Sequence, residues 1–145
     1  MEALGHLVRL GARFRRKRMR WLAEWFGMSP DWLVLDVGGT PAIWEFCPVR
    51  PRLVILNQPR AREPVPPGVQ YVDGDGTALP FADQSFDLVF SNSVIEHLGS
   101  IEAMEQFAAE IRRTGKRYCV QTPDAASPVE PHLYTPFLHW LPPRW

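Results

Sequence analysis

The chain has 145 residues, 46% of them hydrophobic and 22% charged, which leaves room for one ordinary globular domain. Sixteen bases and sixteen acids cancel, yet residues 1–20 carry a charge of +6 and the remainder −6, and residues 63–110 hold nine acids without one Lys or Arg. Two cysteines rule out a disulfide framework or zinc cluster, and the longest uncharged run, 131–143, is too short and proline-rich to cross a bilayer as a helix.

Cys47 and Cys119 therefore read as buried free thiols of a cytoplasmic protein with no transmembrane segment and no metal site. The N-terminus lacks the apolar core of a secretory signal. Its arginine-rich, acid-poor character is also that of a transit peptide, but its helical pattern runs on into Trp21, Trp25 and Phe26.

Leu4, Leu7, Val8, Phe14, Trp21, Leu22, Trp25 and Phe26 recur near helical spacing with bases between them. They predict one or two amphipathic helices over Glu2 to Phe26, with an interruption at Gly11 if two, ending at Gly27 and Pro30. The run Trp32 to Asp36 reads as a buried strand entering the tight turn Gly38-Gly39-Thr40. Thr40 can cap a short helix that Pro41 opens and Pro48 and Pro51 stop. Further strands are expected over Leu53–Leu56, Val69–Val72, Phe86–Phe90 and Arg117–Gln121. A helix whose apolar face is Ile101, Met104, Phe107, Ala108 and Ile111 ends in Arg112, Arg113 and Gly115. Strands alternating with crossovers indicate an α/β fold with a parallel sheet. The chain thus divides into a basic helical arm (1–30), an α/β core (31–122) and a tail rich in proline and aromatics (123–145).

Ligands of open parallel sheets bind beyond the carboxyl ends of the strands, where strand order reverses. Polar groups fall at four predicted strand ends: Asp36-Val37-Gly38-Gly39-Thr40, Asn57-Gln58, Gly74-Asp75-Gly76-Thr77 and Ser91-Asn92-Ser93. Each has a plainer reading as well. Asp36 could cap a helix or join a salt bridge, Asn57 could form a turn, Asp83 and Asp87 suit a turn and the start of a strand, and Glu96-His97 could cap or pack the next segment.

Taken together, the four sites resemble the class I S-adenosylmethionine-dependent methyltransferases over residues 33–122. The most specific stretch is 74–89, GDGTALPFADQSFDLV, continued by SVIEHL at 93–98. The resemblance implies a Rossmann-like three-layer sandwich with a mostly parallel sheet in the order 3-2-1-4-5. It also implies S-adenosyl-L-methionine as cofactor. Asp36 would hold the cofactor's ammonium, Gly38 and Gly39 with Thr40 beside them would allow close approach, and Asn57 and Gln58 would meet the ribose. Asp75 would accept from the adenine amino group, with Gly76 and Thr77 alongside, and Asn92 and Ser93 would lie near the transferred methyl.

Two positions depart from the family pattern. Thr40 and Ala42 stand where further glycines are usual, and Asn57 replaces the acid that grips both ribose hydroxyls. Losing that charge-assisted pair would cost about 1–2 kcal/mol, roughly tenfold in affinity.

Methyl transfer from a sulfonium requires chiefly in-line placement. An alcohol or ammonium acceptor would also need a base, for which His97 and then His132 are the candidates. The family fold continues past the fifth strand to a final β-hairpin that is missing here, so the chain reads as truncated after that strand. A fifth-strand edge is then expected to be covered by the tail or paired in a homodimer. The expected function is methyl transfer to an unidentified acceptor. The alternative is a cofactor-binding, weakly active or inactive module that works by interaction. A nicotinamide oxidoreductase lacks its full glycine fingerprint here. The Arg9–Arg20 arm suits a polyanion, an anionic lipid or an acidic partner, or else solvent or the chain's own acidic body.

Overall fold

The computed structural model describes residues 2–59, 66–123, 129–130 and 135–136. One long helix, α1 (Glu2–Phe26), leads in. Of the one or two helices expected, the structure has one: Gly11 does not interrupt it, because a lone interior glycine costs only about 1 kcal/mol and α1 is anchored by tertiary packing farther along. The helix ends where Gly27 adopts φ 63°. There Met28 N–H donates to the Ala23 carbonyl at 2.9 Å and Gly27 N–H to Glu24 at 3.2 Å, the paired bonds that satisfy the last orphan carbonyls.

The five parallel strands are β1 (Leu33–Val37), β2 (Arg52–Asn57), β3 (Val69–Asp73), β4 (Leu88–Asn92) and β5 (Tyr118–Gln121). They lie in the order β3-β2-β1-β4-β5, the Rossmann-like order that the resemblance implied. Strand order reverses at β1, and the crevice such a reversal creates lies above the carboxyl ends of β1 and β4. The fourth strand starts later than expected. Phe86 makes only an isolated bridge to Gly115, while Asp87 accepts the Leu33 N–H at 2.9 Å and the Lys116 ammonium at 2.9 Å.

Both sheet faces are covered, which is why β1, β2 and β4 read as near-continuous apolar runs. On one face, Met19, Leu22 and Ala23 of α1 pack with Trp44 against Val34, Ile55, Leu88 and Phe90. On the other, Phe107 and Ile111 pack against Leu35, Val37, Leu56 and Val89. They belong to α3 (Ile101–Thr114). The second half of α1 is thus part of the core, although composition groups it with the basic arm. Its outer side leaves Phe14, Trp21 and Trp25 exposed, the two indoles stacked at 5.6 Å. Among the described residues no helix is long and apolar enough to cross a membrane.

Two expected termini differ in detail. The short helix α2 (Pro41–Trp44) does begin with proline, but Thr40 at its N-cap makes no side-chain cap bond. It is Ser100 that caps a helix, accepting from Ala103 N–H at 3.1 Å at the start of α3. Gly115 closes α3 in an extended conformation, φ −105°, not in the left-handed one that glycine favours there. Its reason is space, since a Cβ would lie 2.6 Å from the Arg117 carbonyl and 2.7 Å from Val89.

Strand β5 lies at the sheet edge, with Tyr118 and Val120 exposed. In the tail, β6 (Val129–Glu130) and β7 (Thr135–Pro136) form a small antiparallel pair apart from the main sheet. The rest of the tail, His132 included, lies outside the described residues, and with it the expectation that the tail covers β5.

Candidate functional site

Two adjoining cavities open above the strand ends and share Gly38 and Thr40 in their walls. The larger, about 440 Å³, runs from the ends of β2 and β3 to the turn after β4, lined by Asn57, Gln58, Asp75, Gly76, Ser93 and His97 among others. Leu56, Val94, Leu98 and Phe107 give it an apolar wall, suited to a flat ring with polar groups fixing its edge. The second, about 360 Å³, lies between α1 and the β1–α2 turn, lined by Arg15, Arg18, Asp36, Gly39 and Asn92 among others.

Asp36 is placed by strand alternation. It shares the face of Val34 rather than that of Leu35 and Val37, so it points toward α1 and α2, fully buried. One carboxylate oxygen, Oδ2, accepts the Trp44 indole N–H at 2.8 Å. The other, Oδ1, is buried without a partner. Burial pushes this carboxyl up to about 7, against the lowering effect of the Trp44 bond. A Cβ on Gly39 would collide with the Asp36 carboxylate, so the glycine is required by the carboxylate itself. Gly38 has φ 79°, and a Cβ there would meet Val94 at 2.5 Å.

Asn57 holds the turn together. Its amide donates to the Gly39 carbonyl at 3.3 Å and its Oδ1 accepts the Gln58 N–H at 2.9 Å. The ordinary-turn reading and the site reading of Asn57 therefore both apply, since it also lines the larger cavity. Asp75 takes both Thr77 bonds, from N–H at 2.8 Å and hydroxyl at 2.9 Å, on the single oxygen Oδ1, and these bonds lower its carboxyl from the ordinary value. Among the described residues that leaves Oδ2 for a ligand donor. Thr77 lines neither cavity and serves the Asp75 turn instead. Ser93 sits at φ 57°, a backbone conformation that costs a non-glycine residue about 1–3 kcal/mol and clusters at ligand sites. His97, exposed, follows on the single 3-10 turn Ile95–His97.

The structure thus gathers Gly38, Thr40, Asn57, Gln58, Asp75, Gly76, Ser93 and His97 around one cavity, and Asp36, Gly39 and Asn92 around its neighbour. Two participants escaped the sequence. Nothing in the sequence marks the Trp44 N–H as the partner of Asp36. Arg18 is one base among seven in residues 1–20, and only the docked helix shows that it turns inward, where its Nη1 donates to Asn92 Oδ1 at 3.2 Å.

Behind the site, the stretch most typical of the resemblance is pinned to α3. Arg113 donates to the Leu79 and Phe81 carbonyls at 3.1 and 2.8 Å and to Asp83 at 2.8 Å. Glu110 binds Arg113 at 2.7 Å and accepts the Leu79 N–H at 2.7 Å. This stretch therefore shapes the wall behind Asp75. Cys47 and Cys119 are free, and burial pushes both thiols up, away from nucleophilic chemistry.

Comparison with known proteins agrees with this geometry. Residues 49–118 match the family model described as a methyltransferase domain. An uncharacterized methyltransferase of Mycobacterium sp. (strain JLS) is 38% identical over 71 residues, covering 45% of this chain and 28% of the relative. A protein assigned as a methyltransferase of an antibiotic biosynthesis pathway in Anabaena variabilis shares the fold with a TM-score of 0.64. That match has 18% identity and covers 81% of this chain and 49% of the other. One assigned as an S-adenosyl-L-methionine-dependent methyltransferase of Methanococcus maripaludis gives 0.54 at 17% identity, over 75% and 56% of the two chains. The chain thus spans 28% of the curated relative's length and about half of these structural relatives. The likeness to class I S-adenosylmethionine-dependent methyltransferases is borne out.

Proposed function

We propose that this chain, with its methyltransferase domain on a class I sheet, binds S-adenosyl-L-methionine across the two cavities and presents its methyl group to an acceptor. The observation that carries the reading is Asp36, a carboxylate oxygen fully buried without a protein partner at the end of the central strand. Such an oxygen is costly unless a ligand donor reaches it, and the cofactor's ammonium is a donor of the right charge. The rest of the donor set fits the same molecule. Asp75 Oδ2 is left for an adenine amino group, Asn57 and Gln58 flank a ribose, and Leu98 and Phe107 can cover the ring.

When bound, the cofactor supplies a methyl group made electrophilic by its sulfonium. The work of the chain is placement: Asp36 and the Gly38–Gly39 turn fix one end, Asp75 the other, and the strained Ser93 backbone shapes the wall between them. His97 stands on the same cavity and can take the proton of an alcohol or ammonium acceptor. A second reading, a module that binds cofactor with little turnover, is favoured by Asn57, both of whose polar groups are used in holding the turn.

Calorimetry with S-adenosylmethionine, S-adenosylhomocysteine and NAD in parallel tests the reading. The two adenosyl sulfur compounds should bind, stabilising the fold by about 2.7 kcal/mol at a hundred times their dissociation constant, and NAD should not. Asp75→Ala should weaken that binding far more than Asp83→Ala, since Asp83 faces Arg113 and not the cavity. No heat and no melting shift with either compound would overturn the proposal. Binding without methylation of any acceptor would move the balance to the second reading.

A further inference from the structure

The bases of α1 and its exposed rings are sorted onto separate sides of the helix. At about 100° per residue, Phe14, Trp21 and Trp25 fall within about 40° of one another, in a stripe about 16 Å long. Phe14 and Trp25 keep 65% and 70% of their surface exposed and Trp21 47%, while Met19, Leu22 and Ala23 on another side are buried in the core. Beside the rings runs a second stripe, Arg13, Arg16, Lys17 and Arg20, at the i, i+3, i+4 and i+7 spacing of one helix face, all exposed. Among the described residues no ion pair engages these four. Between Phe14 and Trp21 lies an open groove of about 460 Å³ whose other walls are Arg15, Lys17 and Arg18. Residues 11–26 hold six bases and one acid, Glu24. An exposed apolar patch rimmed by charge marks an interaction surface, and its partner must answer both the rings and the bases.

We infer that this side of α1 rests on an anionic lipid surface, with the rings at the headgroup boundary and the bases on the phosphates. A helix lying on a bilayer buries its apolar side chains in the interface while flanking Lys and Arg reach up to the headgroups. Indoles favour that level, since the ring is apolar and its N–H still finds a polar partner. Charge complementarity alone would admit a nucleic acid, but stacking of its bases needs open ring faces. Trp21 and Trp25 give one face each to the other, with centroids 5.6 Å apart and planes at 23°, a packing that edge-on entry into a bilayer leaves intact. The inference does not depend on cofactor binding. It gives the outer side of the helix a role separate from that of its buried side. Arg15 and Arg18 line both this groove and the second cavity, so the lipid-facing surface adjoins the ligand site.

Co-sedimentation of the full chain with vesicles tests this. Phosphatidylcholine mixed with phosphatidylserine is compared with phosphatidylcholine alone, and polyuridylate serves as the nucleic-acid arm. The mixed vesicles should bind the chain at least about tenfold more strongly than the neutral ones, and rising salt should release it. Each base near such a surface is worth about fivefold in partitioning, so Arg13→Gln combined with Lys17→Gln should weaken binding about twentyfold. Trp21→Ala combined with Trp25→Ala should weaken it about tenfold or more. Trp25→Ala alone, at the more exposed position, should weaken it severalfold and covers the case in which the double variant fails to fold. Glu24→Gln should strengthen binding. No binding to mixed vesicles at low salt, or binding that either the base or the ring substitutions leave unchanged, would overturn the inference. So would equal binding to neutral vesicles, or binding to polyuridylate without binding to vesicles, which would transfer the surface to nucleic acid.

Discussion

Asp36 is a buried carboxyl whose ionisation its environment opposes. Its ordinary value of 3.8 is raised to about 7. Between those values the folded chain keeps a proton that the unfolded chain has released, so raising the pH through this window weakens the fold, and above it the loss is complete. Urea denaturation across this range should show the unaltered protein losing stability from about pH 4 to about pH 7 relative to Asp36→Asn. The two should coincide at the acid end, with the variant the more stable above neutrality. Parallel curves would mean that Asp36 does not titrate as its burial implies. The charged groups lining its cavity are Arg15 and Arg18, and the neighbouring Trp44 and Phe90 carry no titratable group. A ligand ammonium should accordingly bind more tightly as pH rises toward 7 in the unaltered protein, and less so in the variant.

Among the elements, α1 shows how composition and packing can divide one helix. Its bases mark residues 1–20 as an arm, yet Met19, Leu22 and Ala23 are buried against the sheet. Leu22→Ala should cost about 2–5 kcal/mol, the range for truncating a buried leucine. Trp25→Ala, at a site 70% exposed, should change stability by no more than about 0.5 kcal/mol. Equal and small effects would return the helix to the status of an independent arm. The periodicity of 4, 7, 8, 14, 21, 22, 25 and 26 was enough to place the helix but not to say which residues face the core, because both Trp21 and Leu22 satisfy the pattern. The strands were legible to within two residues, since parallel strands buried on both faces must be nearly uninterrupted apolar runs. Gly115 was legible as the end of α3 but not for its true reason, a close approach to Arg117 and Val89 that only the folded chain creates.

For the whole molecule, the carboxylates divide into two groups with opposite pH behaviour. Asp87 and Glu110 are held below their ordinary range, Asp87 chiefly by the Leu33 N–H and Glu110 chiefly by Arg113. The stability they provide is present above those ordinary values and lost as the pH falls through the lowered ones. Asp36 acts from the other side, so acidification below the ordinary carboxyl range should weaken the fold through Asp87 and Glu110, and a rise toward pH 7 should weaken it through Asp36. A denaturation series at matched ionic strength checks this, and stability that rises steadily up to pH 7 would contradict the assignment of Asp36.

The sequence by itself determined the class of fold, the strand order through its likeness to a known family, and the four polar strand ends, residues of which line the two cavities. These are local facts: a run of apolar residues, a glycine turn or an acid after a strand is written in consecutive positions. Only the tertiary structure decided which of those groups have their bonding capacity filled and which do not. Asn57 is held by the glycine turn, Thr77 by Asp75, and Asp36 by Trp44 on one oxygen only. Arg18 is brought opposite Asp36 by a helix that packs across the sheet. Satisfaction of a buried polar atom depends on neighbours from distant parts of the chain, and no spacing along the sequence records them.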